Sequence, residues 1–381
     1  MKAEFDFEDI RPYHDDEVIE VLTRLNKENS FFRFAKMLYR DLKKDDFNAL
    51  ISRISTVKDF QITMVYAALK LVNKSSVDSI TIKGINRLDP SQPYLFISNH
   101  RDIILDPATL NMLLHENGFD TTRVAIGNNL LNRDWIRDMA RLNKSFIVYR
   151  NLPLKQLYLY SQKLSRYIRK SIHEDQHSVW IAQREGRAKD GNDVTQLSLL
   201  KMLSFVERKK PLEYLSKLHI VPVSISYEYD PCDMLKVREI LMKKQNKDYK
   251  KTASEDIVSM LTGIKGYKGR INLCLGEKLT GEINQIILRE VEKNHLISLA
   301  ALIDEKIQRN YRLWPTNYIA YDMLVKKSSY QSRYSKEEKS KFLQYFNQKI
   351  SDIKDPGEKA EAEKLFLMIY ANPVKNALRY Q

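Results

Sequence analysis

Read for the spacing of its apolar residues, the chain divides into three regions. Over residues 1–78 the apolar positions recur at helical intervals. Phe31, Phe34, Ala35, Leu38 and Leu42 fall on one helical face, with Arg33, Lys36, Arg40 and Lys43 around them. A second stripe runs through Phe60, Met64, Ala67, Ala68 and Leu71. Neither stretch approaches the roughly 20 apolar residues of a spanning helix. Two readings are open. Either both stripes pack on a core or on each other, or one of them, basic and aromatic, lies on a membrane surface.

The period changes over residues 79–282. Short β-rich runs occur at Ser79–Lys83, Tyr94–Ser98, Arg123–Ile126, Phe146–Tyr149, Val179–Ala182, Ile220–Tyr227 and Ile271–Leu275. Helical stretches are expected between them, over 107–117, 132–142, 154–173, 194–208 and 233–244. This alternation predicts an α/β fold: a mixed, largely parallel sheet flanked by helices, with helical N- and C-terminal extensions. The apolar runs at Tyr94–Ser98 and Ile220–Tyr227 fit central strands covered on both faces. Ligands of such sheets sit beyond the carboxyl ends of the strands. Residues 283–381 return to a helical pattern, with a Lys-rich tract at 326–341. Ser335 and Glu338 have capping-box spacing, so a helix is expected to start there. The expected organisation is therefore 1–78, 79–282 and 283–381.

Charge narrows the class of partner. Lys and Arg number 63 against 49 acidic residues, a net charge of +14 that favours an anionic partner: nucleic acid, a phospholipid surface or an acidic protein. An apolar content of 43% with 29% charged residues excludes disordered and low-complexity classes. A mean hydropathy of -0.46 argues against a polytopic membrane protein. Two cysteines, Cys232 and Cys274, support neither a disulfide framework nor a four-cysteine zinc site. Met1–Asp9 is acidic and lacks the basic and apolar segments of a signal peptide, so a cytoplasmic chain is expected.

The residues with chemistry follow the strands. After Ser98 comes Asn99, His100, Arg101, Asp102 and, further on, Asp106 and Pro107. A histidine with carboxylates nearby suits general-base work: one carboxylate fixes the tautomer, and the other ring nitrogen takes a proton. Taken alone, such a histidine is more often a structural hydrogen-bonding residue. After Ala182 come Arg184, Glu185, Gly186, Arg187 and Lys189, a set that fits either phosphate binding or a charged surface turn. Arg150 follows the Phe146–Tyr149 run and has the same topological address. Pro222 interrupts an otherwise central strand, where it removes a ladder hydrogen bond.

Taken in order, these elements resemble the glycerolipid acyltransferases, which include glycerol-3-phosphate and 1-acylglycerol-3-phosphate acyltransferases. Asn99-His100 through Asp106 is similar to the family's His-Asp motif, NHxxxxD. Phe146–Arg150 is similar to its apolar strand ending in Arg. Glu185-Gly186-Arg187-Ala188 is similar to its EGxRS motif, and Val221-Pro222-Val223 to its proline-bearing strand. The late segment from Gly269 through Gly276-Glu277 also has a counterpart there. The resemblance covers roughly 80–282. It departs from the family in two places: Asp106 lies six residues after the histidine rather than five, and Ala188 stands where the family has Ser. Asp106, beside Pro107 at an expected helix start, is the favoured orienting carboxylate, with Asp102 as the alternative.

The resemblance implies that His100 is the general base for an acceptor hydroxyl that attacks an acyl thioester. It implies that Arg150, Glu185, Gly186 and Arg187 hold the acceptor, and that Pro222 lines the acyl region. It implies no cofactor and no metal. The implied donors are acyl-acyl carrier protein and acyl-CoA. The implied acceptors are a lysophospholipid (1-acyl-glycerol-3-phosphate) and glycerol-3-phosphate, with a lyso-aminolipid as the alternative. The implied location is peripheral, at the inner face of the cell membrane.

Two rivals carry less weight. His173-Glu174-Asp175-Gln176-His177 fits H-E-x-x-H, but zinc proteolysis needs both histidines on one continuing helix, and the run from Val179 ends any helix there. His219, the next histidine, begins another strand. Nucleic-acid binding would use the positive charge, yet no zinc-finger, RRM or KH pattern is present and the basic residues are spread over all three regions. No nucleic acid is expected.

Overall fold

The β-rich runs pair into one seven-stranded sheet in this computed structural model, which describes residues 6–39 and 42–380. Met1–Phe5 of the acidic N-terminal segment and Arg40 of the first stripe lie outside the described residues. The strands are β1 (Val77–Lys83), β2 (Leu95–Ser98), β3 (Arg123–Gly127), β4 (Ser145–Val148), β5 (Val179–Ala182), β6 (Ile220–Tyr227) and β7 (Gly269–Leu275). Their spatial order is β1-β7-β6-β2-β5-β3-β4. The β6–β7 pair is antiparallel and the other pairs are parallel. The fold is thus α/β, with a mixed, mostly parallel sheet and flanking helices.

β2 and β6 sit at the centre, and every residue of both is buried. Leu95, Ile97 and Ile220 face one core, shared with Ile303 and Ile307 of the His295–Asn310 helix. Phe96, Val221 and Val223 face the other, beneath the Leu105–Glu116 helix. The expected unit boundaries do not separate these cores. The 78/79 boundary falls inside β1, and Ile10, from the N-terminal region, is buried with the sheet and bonds its carbonyl to Ile147 N–H at 2.9 Å. In the C-terminal region, Phe342, Phe366 and Tyr370 pack with Val237 and Tyr229 beyond β6. Ser335 caps its helix as the sequence pattern implies, accepting from Glu338 N–H at 3.1 Å.

The N-terminal helices form a roof. Phe31 and Ala35 of the Asn29–Leu38 helix are buried against Phe47 and Phe60, while Phe34 and Leu38 turn toward the sheet. The second stripe is correct at its start and wrong at its end. Phe60 and Met64 are buried, but Leu71 is exposed and Leu69 and Val72 are buried in its place. The cause is a π-helical turn at Gln61–Tyr66 between the Val57–Phe60 and Ala67–Ser76 helices. A π turn holds an extra residue, so every later side chain is displaced by one position relative to a regular 3.6 repeat. Among the described residues, no helix is long and apolar enough to cross a membrane.

Two helices escaped the sequence pattern: Pro211–Ser216 and Ala253–Lys265. The second bears on function, because it closes one side of the cavity described next. The helix expected over 194–208 is shorter, Leu197–Leu203.

Candidate active site

β2 ends at Ser98, while its neighbour β6 runs on to Tyr227. The Asn99 side chain fills the missing rung. Its Nδ2 donates to Ile225 O and its Oδ1 accepts from Ile225 N–H, both at 2.8 Å. A buried amide satisfied on both sides fixes the point where the chain leaves the sheet. His100 follows directly and is held from two directions. Its Nδ1 lies 2.8 Å from Asp106 Oδ2, and its ring meets the Trp180 ring edge-on, with centroids 5.7 Å apart.

Asp106 is fully buried near the start of the Leu105–Glu116 helix. Its Oδ2 also accepts from the backbone N–H of Arg101 at 2.6 Å and of Asp102 at 3.0 Å, and its Oδ1 accepts from the Tyr227 hydroxyl at 3.0 Å. Burial and the charge of Asp106 hold the Tyr227 hydroxyl protonated, hence a donor. A carboxylate that accepts at Nδ1 places the imidazole proton there and leaves Nε2 with its lone pair. Asp102 has a different task. Its Oδ1 accepts from Ile104 N–H at 2.9 Å and Leu105 N–H at 2.8 Å, which caps the turn into the helix. Burial, with Asp106 close by, pushes its carboxyl above the ordinary range. The extra loop residue is thus absorbed in a turn that Asp102 closes, and it is Asp106 that bonds His100.

His100 lines a cavity of about 900 Å³ with mostly apolar walls. Its floor is the carboxyl-end region of β3, β4 and β5. Its roof is the pair of N-terminal segments around Phe34 and Met64, and its side is the Ala253–Lys265 helix through Met260 and Leu261. Among the described residues, four arginines line it: Arg33, Arg133, Arg150 and Arg184. Arg150 is seated by its backbone N–H on Asn128 Oδ1 (3.0 Å), and its Nε lies 3.5 Å from Glu185 Oε1. Gly127 makes room for it. A Cβ there would stand 2.8 Å from Cζ of Arg150. Gly186, with φ +69°, turns the chain beside Glu185, and both also line the cavity.

Two residues expected at the site are elsewhere. Arg187 points away from the cavity and is 5% exposed. Burial works against its charge, but Cys232, Asp102 and Asp230 beside it outweigh that and keep the guanidinium charged. It belongs to a buried ionic cluster behind the His100 loop, in which Lys236 pairs with Asp230 and donates to Arg101 O at 2.9 Å. Arg184, three residues earlier, faces the cavity instead. Pro222 is buried in β6 and is not part of the cavity wall. Residue pairing between β6 and β7 runs from Val223 to Tyr227, and Pro222 sits just beyond it, its carbonyl accepting from Gly276 N–H at 2.8 Å. A proline is tolerated where a ladder ends. The apolar space beside His100 is built by the roof helices and the Ala253–Lys265 helix.

The H-E-x-x-H segment is split by the fold. The Leu154–His173 helix stops at His173, Gln176 takes a left-handed φ of +55°, and His177 stands outside the helix. Among the described residues, no group of three His, Cys, Asp or Glu is placed to hold a metal ion.

Sequence reasoning carried Arg184 only as one cation of the set after Ala182, quoted Asn99 without a role of its own, and missed Trp180, Tyr227 and Gly263. The last lies where the Ala253–Lys265 helix passes so close to the loop that a Cβ would stand 2.1 Å from Asp102 Oδ2. A glycine inside an otherwise helical stretch was the available signal.

Comparison with known proteins bears on the sheet region. Residues 79–226 match the family model described as Acyltransferase. No curated protein matches the chain. Among solved structures, the chain is similar to the 1-acyl-sn-glycerophosphate (LPA) acyltransferase PlsC from Thermotoga maritima. The identity is 14% over 75% of this chain and 97% of that chain, with a TM-score of 0.35.

Proposed function

We propose that the chain, whose residues 79–226 match the Acyltransferase family model, is an acyltransferase that moves a fatty acyl group from a thioester to the hydroxyl of a lipid precursor. The leading acceptor is 1-acyl-glycerol-3-phosphate, with glycerol-3-phosphate next. The donor is acyl-acyl carrier protein or acyl-CoA. The observation that carries this reading is His100, bonded through Nδ1 to a buried Asp106 while it lines a large apolar cavity edged by arginines.

In the proposed step, Nε2 of His100 takes the proton of the acceptor hydroxyl as the oxygen attacks the thioester carbonyl. The tetrahedral intermediate then collapses, the C–S bond breaks, and the proton held by His100 passes to the departing thiolate. Asp106 stabilises the transient imidazolium and keeps the ring oriented. General-base assistance of this kind contributes about 10²–10⁴-fold in rate. The apolar walls suit an alkyl chain. Arg150 and Arg184 suit a phosphate near the reacting hydroxyl, since guanidinium groups bind phosphate oxygens through paired, charge-assisted hydrogen bonds. Arg187, sequestered in the ionic cluster, has no part in acceptor binding here. The enzyme works as a peripheral protein at the inner face of the cell membrane, where donor and acceptor meet.

The test is purified protein with acyl-acyl carrier protein or acyl-CoA and a panel of acceptors, products read by mass spectrometry. Phosphatidate formed from lysophosphatidate is the expected result. Product from a lyso-aminolipid alone would retain the acyl transfer and replace the acceptor. No acyl transfer to any acceptor would overturn the reading.

A further inference from the structure

Beyond β4 the chain makes a sharp exit. Arg150 lines the cavity, Asn151 adopts a left-handed φ of +57°, and Pro153 precedes the Leu154–His173 helix. An asparagine tolerates that backbone region better than most residues. The result is a helix whose first two turns stand clear of the body. Leu154 is 86% exposed, Leu157 43%, Tyr158 49% and Leu159 49%. These four cover a broad arc of the helix, and Lys155 lies within it. Tyr160, on the other side, packs its ring at a tilt against Tyr149, with centroids 4.7 Å apart, and anchors the helix to the sheet. An isolated exposed leucine needs no explanation, but a cluster of three with a tyrosine on one helix start marks an interaction surface.

What surrounds the ridge identifies its partner. Leu157 belongs both to the ridge and to the cavity wall, so the apolar surface runs without a break into the cavity. Arg33, Arg133, Arg150 and Arg184 line that same cavity. Beyond Tyr158, whose ring meets Phe205 edge-on at 4.9 Å, comes the exposed basic run Arg208, Lys209, Lys210. Apolar side chains continuous with an arginine-lined cavity and followed by Arg208 and Lys209, on a chain of net charge +14, complement an anionic lipid bilayer.

We propose that the start of the Leu154–His173 helix is a membrane-docking ridge that inserts into an anionic phospholipid bilayer and sets the mouth of the cavity at the lipid surface. The inference deepens the acyltransferase reading by giving its lipid substrate a way in. The residues the test changes, Leu154 and Leu159, are not among those proposed for the chemistry.

The experiment is vesicle flotation of the full chain, wild type against the double variant Leu154→Ser/Leu159→Ser, neither residue being in the cavity wall. Vesicles contain phosphatidylglycerol and phosphatidylcholine, or phosphatidylcholine alone. Wild type is expected to float with the anionic vesicles and more weakly with the neutral ones. The double variant should lose about tenfold or more in partitioning, since two leucine side chains no longer leave water. Its circular dichroism and melting temperature should be unchanged, because both positions are exposed. Its turnover on detergent-dispersed acceptor should match wild type, while turnover on vesicle-embedded acceptor should fall. Equal flotation of the two proteins, or no flotation of wild type, overturns the proposal. So does a dimer by light scattering that the variant converts to monomer, which would assign the ridge to a second copy of the chain. If wild type floats through the ridge but transfers acyl groups to no acceptor, the docking surface stands and the acyltransferase reading fails.

Discussion

Replacing Gly263 by alanine should damage the active site from behind. The added Cβ would stand 2.1 Å from Asp102 Oδ2 and 3.0 Å from its Cγ. Ordinary contact begins at 3.4 Å, so helix or loop must retreat by about 1.3 Å in a close-packed region. Asp102 is not at liberty to yield. Its Oδ1 holds the backbone N–H groups of Ile104 and Leu105, at 2.9 and 2.8 Å. Losing two hydrogen bonds to a carboxylate costs about 3–6 kcal/mol, and alanine returns only about 1 kcal/mol of helix propensity. The net loss should be about 2–5 kcal/mol by urea unfolding. The same shift displaces the loop that carries His100 and Asp106, and misplacement of catalytic groups by about 1 Å can cost around 100-fold in turnover. Shortening the opposing side chain should relieve the clash. In the double variant Gly263→Ala/Asp102→Ser, stability and turnover should recover relative to the sum of the single changes, as expected of residues in contact. A Gly263→Ala protein as stable and active as wild type would refute the packing argument.

Other consequences separate residues that the sequence places side by side. Asp106→Asn should lower turnover more than Asp102→Asn, because the first removes the partner of the His100 imidazolium and the second a turn cap; kinetics of both folded variants give the ranking. Arg187→Ala should destabilise by about 1–3 kcal/mol in chemical denaturation, by removing a buried side chain whose positive charge lies near Asp102 and Asp230, while KM for lysophosphatidate moves little among the surviving folded molecules. Burial pushes the His177 imidazole down to about 4. The folded state therefore favours the neutral ring, so this contribution to stability is present above the ordinary value near 6.5 and is lost as pH falls toward about 4. His177→Gln should flatten the stability profile across that window, as read by melting temperature against pH.

The sheet was legible in the sequence because its strands are short and buried. Runs such as Val179–Ala182 and Ile220–Tyr227 leave little choice of conformation, and their observed bounds match. The His100–Asp106 pairing was legible for a related reason: a strand end followed by an Asp-Pro helix start constrains where the carboxylate can lie. What was not legible depends on small rotations. Arg184 and Arg187 are three residues apart in a turn with a left-handed glycine between them, and their pattern does not say which faces the cavity. The π turn at Gln61–Tyr66 moves burial from Leu71 to Val72, with no composition signal to announce the extra residue. The Ala253–Lys265 helix opens with a polar stretch and spends apolar residues such as Met260 and Leu261 on a cavity rather than a core, so its stripe is weak. Tyr227, more than a hundred residues from Asp106 along the chain, reaches it only through the pairing of β2 with β6.

The central claim is that His100 is the base that activates an acceptor hydroxyl. Its most direct test is single-turnover acyl transfer to lysophosphatidate by purified His100→Ala, beside wild type, with product measured by mass spectrometry and folding checked by circular dichroism. The expected result is a folded protein whose transfer rate falls by about 10²–10⁴-fold. A folded His100→Ala protein that transfers the acyl group at the wild-type rate would contradict it.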